Sequence, residues 1–135
     1  MNTILVGTDS SAAADLAVED AARLAHERGA ELVVLYVRPN GEFRSVVDPA
    51  MAPDPAAYLA RIPKRFPEVR TRTRIESGEP AAKICDVAAE ERVETIVVGN
   101  RGAHRSRWAV RDSVPNMVLR HSPCSVYIVD TMRAQ

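Results

Sequence analysis

Cysteine is scarce in this chain: only Cys85 and Cys124 occur among 135 residues. Two thiols cannot build the disulfide framework of a small secreted scaffold. They suit a reducing compartment, so a cytoplasmic protein is expected. No His/Cys pair has zinc-ligand spacing, which argues against a structural metal. An excess of one charge is also missing. Eighteen Lys and Arg balance eighteen Asp and Glu, for a formal net charge of zero. That balance argues against non-specific binding to nucleic acid or a membrane surface, and neither DNA nor membrane is expected as a partner. Long apolar runs are lacking. The longest, such as Leu32 to Val37, fall far short of the roughly 20 residues a membrane helix needs. Met1 to Val6 runs straight into a strand pattern, so no secretory signal is expected.

What is present is a core. Apolar residues make up 46% of the chain, enough for one globular domain. Thr3 to Gly7, Leu32 to Val37 and Thr95 to Gly99 are short, nearly all-apolar runs. Strands buried on both faces of a parallel sheet read this way. Between the first two, Ala13, Leu16, Ala17, Ala21, Leu24 and Ala25 recur at helical spacing, with Ser10 or Ser11 to cap the start and Gly29 to close the end. Residues 39–67 hold six of the nine prolines. A loop to about Pro53 and a short interrupted helix around Ala56 to Arg65 are expected there. Val69 to Glu76 alternates Val, Thr and Ile with Arg and Glu, which reads as an edge strand with an exposed face. Ser77-Gly78 turns the chain, and Pro80 opens a helix with Ala81, Ile84, Cys85, Ala88 and Ala89 on its apolar face. Ser113 or Asp112 begins a last helix with Val114, Met117, Val118 and Leu119 facing inward, followed by a strand from Ser125 to Val129.

Strands alternating with helices imply an α/β three-layer sandwich around a five-stranded parallel sheet. Ligands of such sheets sit at the carboxyl ends of the strands, where strand order reverses. The order 3-2-1-4-5 reverses between the first and fourth strands. It makes neighbours of Gly7-Thr8-Asp9-Ser10 and Gly99-Asn100-Arg101-Gly102.

At these residues the chain resembles the universal stress proteins. Ile4 to Ser11 is similar to the family's opening strand and aspartate, and Glu76-Ser77-Gly78-Glu79-Pro80-Ala81 to its turn into the third helix. Ile96-Val97-Val98-Gly99-Asn100-Arg101-Gly102, then Ser113-Val114, then Val118 to Val126, form the most specific part. Residues 40–67 match poorly. The resemblance implies one domain over 1–135, of the adenine nucleotide alpha-hydrolase-like type. It implies an antiparallel homodimer through the last strand, Ser125 to Val129. It also implies that ATP or another adenine nucleotide binds between the first and fourth strands, with Mg entering only with nucleotide. Asp9 and the Val37 backbone would meet the nucleoside. Gly99, Gly102 and Ser113, helped by Arg101, would meet the phosphates.

The family's nucleotide-binding branch carries Gly-x-x-Gly, nine residues, then Gly and Ser or Thr. Glycines let backbone amides approach phosphate, and the hydroxyl and helix N-terminus complete the cradle. Gly99, Gly102 and Ser113 match. Asp112 replaces the last glycine, and Arg105 stands where such loops often have another. A carboxylate about 4 Å from a phosphate costs roughly 1 kcal/mol in water and about 4 at an effective dielectric near 20. Arg101, Arg105, Arg107, Arg111 and His104 oppose it; two of them on a phosphate would cancel the penalty. Two functions follow: a nucleotide-responsive stress protein, or a dimeric interaction module whose site Asp112 has closed to ATP. For the bland alternatives, Asp9 and Ser113 would be caps, Val37 core, and Gly99 and Gly102 strand-exit shape. Cys85 and Cys124 are expected in the core, and His26 and His121 on the surface. No Ser-His-Asp arrangement and no catalytic base for water can be assembled, so any ATP hydrolysis would be slow and incidental.

Overall fold

The computed structural model of the chain describes residues 2–38, 55–100 and 114–131. Five strands form one parallel sheet: β1 (Thr3–Thr8), β2 (Glu31–Arg38), β3 (Thr71–Ser77), β4 (Thr95–Gly99) and β5 (Ser125–Val129), in the order β3-β2-β1-β4-β5. Helices α1 (Ala12–Arg28), α2 (Pro55–Arg65), α3 (Pro80–Glu90) and α4 (Val114–His121) connect them. Alternation of side chains along the strands divides the core in two. Ile4, Val6, Leu32, Val34, Tyr36 and Val97 point to α1 and α2. Leu5, Val33, Leu35, Val37, Ile96 and Val98 point to α3 and α4. Central strands buried on both sides need apolar residues at every position, which explains the unbroken runs of β1, β2 and β4.

Local chemistry fixes the helix ends. Ser11 Oγ accepts the Ala14 N–H at 3.1 Å, capping α1. Gly29 closes α1 in the left-handed region, φ 63°, where a Cβ would be strained. Pro80 opens α3, and the Glu79 carboxylate accepts the N–H groups of Ala81 and Ala82 at 3.3 and 2.7 Å.

Four expectations are corrected. Helix α2 is continuous: Pro63 falls in its last turn, so the bond it cannot donate to the Leu59 carbonyl is lost only where the helix is about to end. On α3, Ala89 is exposed and Val87 is buried instead. On α4, Leu119 is 52% exposed, and only Val114, Pro115 and Val118 are buried. Eight residues make two turns, and only one narrow stripe of them reaches the sheet. Cys124 is half-buried, packed at the margin of the α3/α4 layer, whereas Cys85 lies inside it. His26 and His121 are exposed, as expected.

Strand β3 is an edge with Arg72 exposed on its basic side, as expected, but the arginines of that side are ion-paired. Arg72 bridges Glu31 and Glu91 at 3.1 and 2.5 Å. Arg74 bridges Glu76, Glu90 and Glu91 at 2.8, 2.6 and 2.8 Å. The guanidinium groups tie the edge strand to the end of α3, while Ile75 on the opposite side is 39% exposed. Burial would raise the Glu91 carboxyl; the two arginines outweigh it and hold it below its ordinary value.

Candidate functional site

The carboxyl ends of β1 and β4 lie side by side. Their last registered pair is Val6 with Val97, and two residues further on each strand stand Thr8 and Gly99. From Thr8 the chain turns sharply into α1. Ser10 has φ 67°, a left-handed conformation rare outside glycine and asparagine. Two side chains hold the turn. Thr8 Oγ1 accepts the Ser10 N–H at 3.0 Å, and Asp9 Oδ1 accepts the Ser11 N–H at 2.9 Å. Asp9 is 1% exposed, so this carboxylate is built into the turn as well as standing at the crevice.

The other sequence-derived residues divide. The Val37 side chain is wholly buried against α3 and α4 and paired in register with Glu76, as core. Gly99 has a structural reason of its own: a Cβ there would lie 2.7 Å from Thr131 Cγ2. Arg101, Gly102 and Ser113 lie outside the described residues, as do His104, Arg105, Arg107, Trp108, Arg111 and Asp112. The structure therefore brings Asp9 and Gly99 to one end of the sheet, with Val37 at the close of the neighbouring β2.

Two arrangements at this end were not read from the sequence. In the first, Asn100 clamps the chain after β5. Its N–H donates to Val129 O at 2.8 Å, and its Oδ1 accepts the Thr131 N–H and hydroxyl at 3.0 and 3.3 Å. In the second, Arg65 and Tyr58 of α2 converge on Asp15 in the first turn of α1. Burial would raise the Asp15 carboxyl, but the Arg65 fork and the Tyr58 hydroxyl outweigh it and hold it below the usual carboxylate value. Burial, with Asp15 adding to it, lifts the Tyr58 phenol well above its ordinary range although Thr8 opposes the rise. Tyr58 therefore stays a proton donor. Arg65 also reaches Glu19 at 3.4 Å, and a signal for these contacts was available: Tyr58 and Arg65 are seven apart, and Asp15 and Glu19 four apart, each pair on one helix face.

A shallow concavity of about 440 Å³ lies between α3 and α4, lined by Glu79, Cys85, Asp86, Met117 and His121 among others. Burial raises the Cys85 thiol, with Asp86 adding to it, which suits packing and not nucleophilic chemistry. Among the described residues no group of three His, Cys, Asp or Glu could hold a metal ion, and no helix is long and apolar enough to cross a membrane.

A parallel sheet in the order 3-2-1-4-5, with a constrained strand–turn–helix at the reversal point, defines a Rossmann-like α/β protein. The particular family follows from comparison with known proteins. The universal stress protein family model matches residues 1–130, and the chain belongs to that family. The universal stress protein YxiE of Bacillus subtilis is 28% identical, covering 95% of this chain and 98% of that protein. A universal stress protein solved in complex with cAMP is 26% identical, with a TM-score of 0.74 over 96% of this chain and 97% of that one. The universal stress protein from Archaeoglobus fulgidus solved in complex with dAMP, 21% identical and covering 96% of this chain and 98% of its own, shares the fold at a TM-score of 0.67.

Proposed function

We propose that this chain is a cytoplasmic stress-response module that binds an adenine nucleotide in the crevice at the carboxyl ends of β1 and β4. One observation carries the reading. At the point where strand order reverses, a buried aspartate sits on a turn in which Thr8 Oγ1 holds the N–H of the left-handed Ser10 and Asp9 Oδ1 holds that of Ser11. Backbone strain of this kind costs on the order of 1–3 kcal/mol and gathers at ligand sites. The cAMP complex of a relative 26% identical to this chain supports the ligand class. In this reading Asp9 and the Val37 backbone meet the nucleoside, and Gly99, Gly102 and Ser113 meet phosphate with help from Arg101. ATP is the fullest ligand that such a site takes, and Mg enters only with it.

The test is calorimetric titration of nucleotide-stripped protein with cAMP and with ATP, the latter with and without magnesium. Micromolar affinity for either is the expected result. No heat and no competing binding at millimolar concentrations of both would sink the reading.

A second reading, a homodimeric interaction module over residues 1–135 as one domain, is favoured by a separate observation. Strand β5 is an edge with Tyr127 and Ile128 exposed at 45% and 39%. An apolar edge of this kind invites pairing with a second copy. The dimer itself is compatible with either function, but an interaction module whose site Asp112 closes is an alternative to nucleotide binding. The module alone is left if nucleotide fails to bind and the dimer persists.

A further inference from the structure

A chain of hydrogen bonds runs from α2 into the turn that carries Asp9. Arg65 forks onto Asp15, Nη1 2.8 Å from Oδ1 and Nη2 2.9 Å from Oδ2. The Tyr58 hydroxyl donates to the same Oδ1 at 2.7 Å. Its single proton is thereby committed, so it faces Thr8 Oγ1, 3.5 Å away, as an acceptor. The Thr8 hydroxyl then donates to Tyr58 and accepts the Ser10 N–H. Each donor in the series points toward the carboxylate, and links arranged head to tail polarise one another. The terminal ion pair fixes the direction of all of them.

We propose that Tyr58 is a positioning residue of the candidate site: through Thr8 it holds the left-handed Ser10 turn that presents Asp9, so that docking of α2 on α1 and adenine-nucleotide occupancy of the turn strengthen each other. The proposal rests on the nucleotide-binding reading above for its ligand, but not for its mechanics. Thr8 is wholly buried and Asp9 nearly so, and their two oxygens hold the N–H groups of Ser10 and Ser11. The Thr8 rotamer therefore decides whether the turn keeps its shape, and Tyr58 is the side chain that engages its hydroxyl from α2. Coupling of this kind is reciprocal. A ligand that immobilises the turn immobilises Thr8, and through Tyr58 it slows the opening of α2.

The test uses the full chain and Tyr58→Phe, which keeps the ring packed against the α1 layer and removes only the hydroxyl. First, without ligand, amide exchange at Ser10, Ser11 and Ala14 is expected to speed up in Tyr58→Phe. Unchanged exchange there overturns the proposal, whether or not nucleotide binds. Second, where the unsubstituted protein binds cAMP, Tyr58→Phe is expected to weaken it roughly three- to ten-fold, the equivalent of about 0.7–1.4 kcal/mol. cAMP is also expected to slow exchange across residues 55–65 in the unsubstituted protein but not in the variant. Third, Tyr58→Phe is expected to add little to the larger loss in Thr8→Val, because Tyr58 reaches the turn only through the Thr8 hydroxyl. Equal affinity in Tyr58→Phe, with loss only in Tyr58→Ala, would mean that the ring packs and the hydroxyl positions nothing. Fully additive losses would overturn the route through Thr8. An unsubstituted protein that binds neither cAMP nor ATP removes the nucleotide reading, and the ligand-free exchange then decides the positioning role by itself.

Discussion

Replacement of Gly99 by alanine gives the sharpest test of the packing at the β4 exit. The added Cβ would lie 2.7 Å from Thr131 Cγ2, closer than carbon atoms approach without something shifting. Thr131 cannot swing away cheaply. It is β-branched, stiff at χ1 and 2% exposed. Its N–H and hydroxyl are both held by Asn100 Oδ1, at 3.0 and 3.3 Å. Any rotation that withdraws Cγ2 also withdraws the hydroxyl from its acceptor. Overpacking of this type costs about 1–3 kcal/mol. For a chain of 135 residues, that lowers Tm by roughly 4–10 °C. Thermal and urea unfolding measure it. Thr131→Ser removes the offending methyl and keeps the hydroxyl, so Gly99→Ala/Thr131→Ser should recover most of the loss. A Gly99→Ala protein as stable as the unsubstituted one, or a deficit that Thr131→Ser leaves untouched, would refute the steric account. The same pair separates the two roles of Gly99. If stability returns in the double variant but cAMP affinity does not, the bare glycine backbone also serves the ligand.

Other substitutions test other parts of the structure. Asp15 carries a carboxyl held below its unfolded value of roughly 3.9. Its contribution is fully present above that value and is lost as pH falls through the lower folded value. Tm should therefore drop below about pH 4, and Asp15→Asn should flatten that part of the drop while costing about 1–2 kcal/mol at neutral pH. A Tm profile from pH 3 to 7 that is the same for both proteins would contradict the network. Gly29→Ala meets no atom within 4 Å but must adopt φ 63°. It should cost roughly 1 kcal/mol in urea unfolding, and Gly29→Asn less; equal stability of all three would show that the cap does not need this conformation. Ile128→Asp should convert the proposed dimer to monomer in sedimentation without unfolding it, since Ile128 is already 39% exposed. A dimer that survives the change would remove β5 as the interface.

The sheet was legible because its central strands obey a simple rule. Burial on both faces leaves no polar position in Leu32 to Val37, and helical spacing between such runs dictates parallel crossovers. Gly29 and Pro80 were legible because backbone geometry selects them. Helix faces were less so. Ala89 and Leu119 fit the apolar stripe by spacing and yet face solvent, because the neighbouring element decides how wide a stripe is covered. At the site, Asp9 could be placed at the right loop but not assigned its hydrogen bond to Ser11. Gly99 could be noticed, but Thr131, whose methyl requires it, stands 32 residues away. The Asp15–Tyr58–Arg65 cluster spans 43 and 50 positions. Local periodicity carries no information about which polar stripe meets which, so such contacts emerge only when the helices are packed.

The two sheet edges are built differently, and the difference bears on assembly. Along β3 the side chains facing α3 are charged, and Arg72 and Arg74 are anchored by Glu31, Glu76, Glu90 and Glu91. A second strand pairing there would have to settle beside a row of fixed charges, which is how natural sheets discourage edge association. Strand β5 has no such row. Tyr127 points to the α1 side and Ile128 to the α4 side, both exposed, so a strand added at this edge would cover apolar surface on both faces. A two-fold axis perpendicular to the strand reverses the chain direction, so self-pairing about it is antiparallel. In the proposed dimer that axis passes close to the middle of a five-residue strand. Every substitution in β5 then enters the interface twice, and near its centre. Ile128→Asp would bury two unpaired carboxylates in the apolar seam of the proposed dimer, which disfavours association. A single residue change is therefore expected to separate the copies of the proposed dimer while each sheet keeps its own fold.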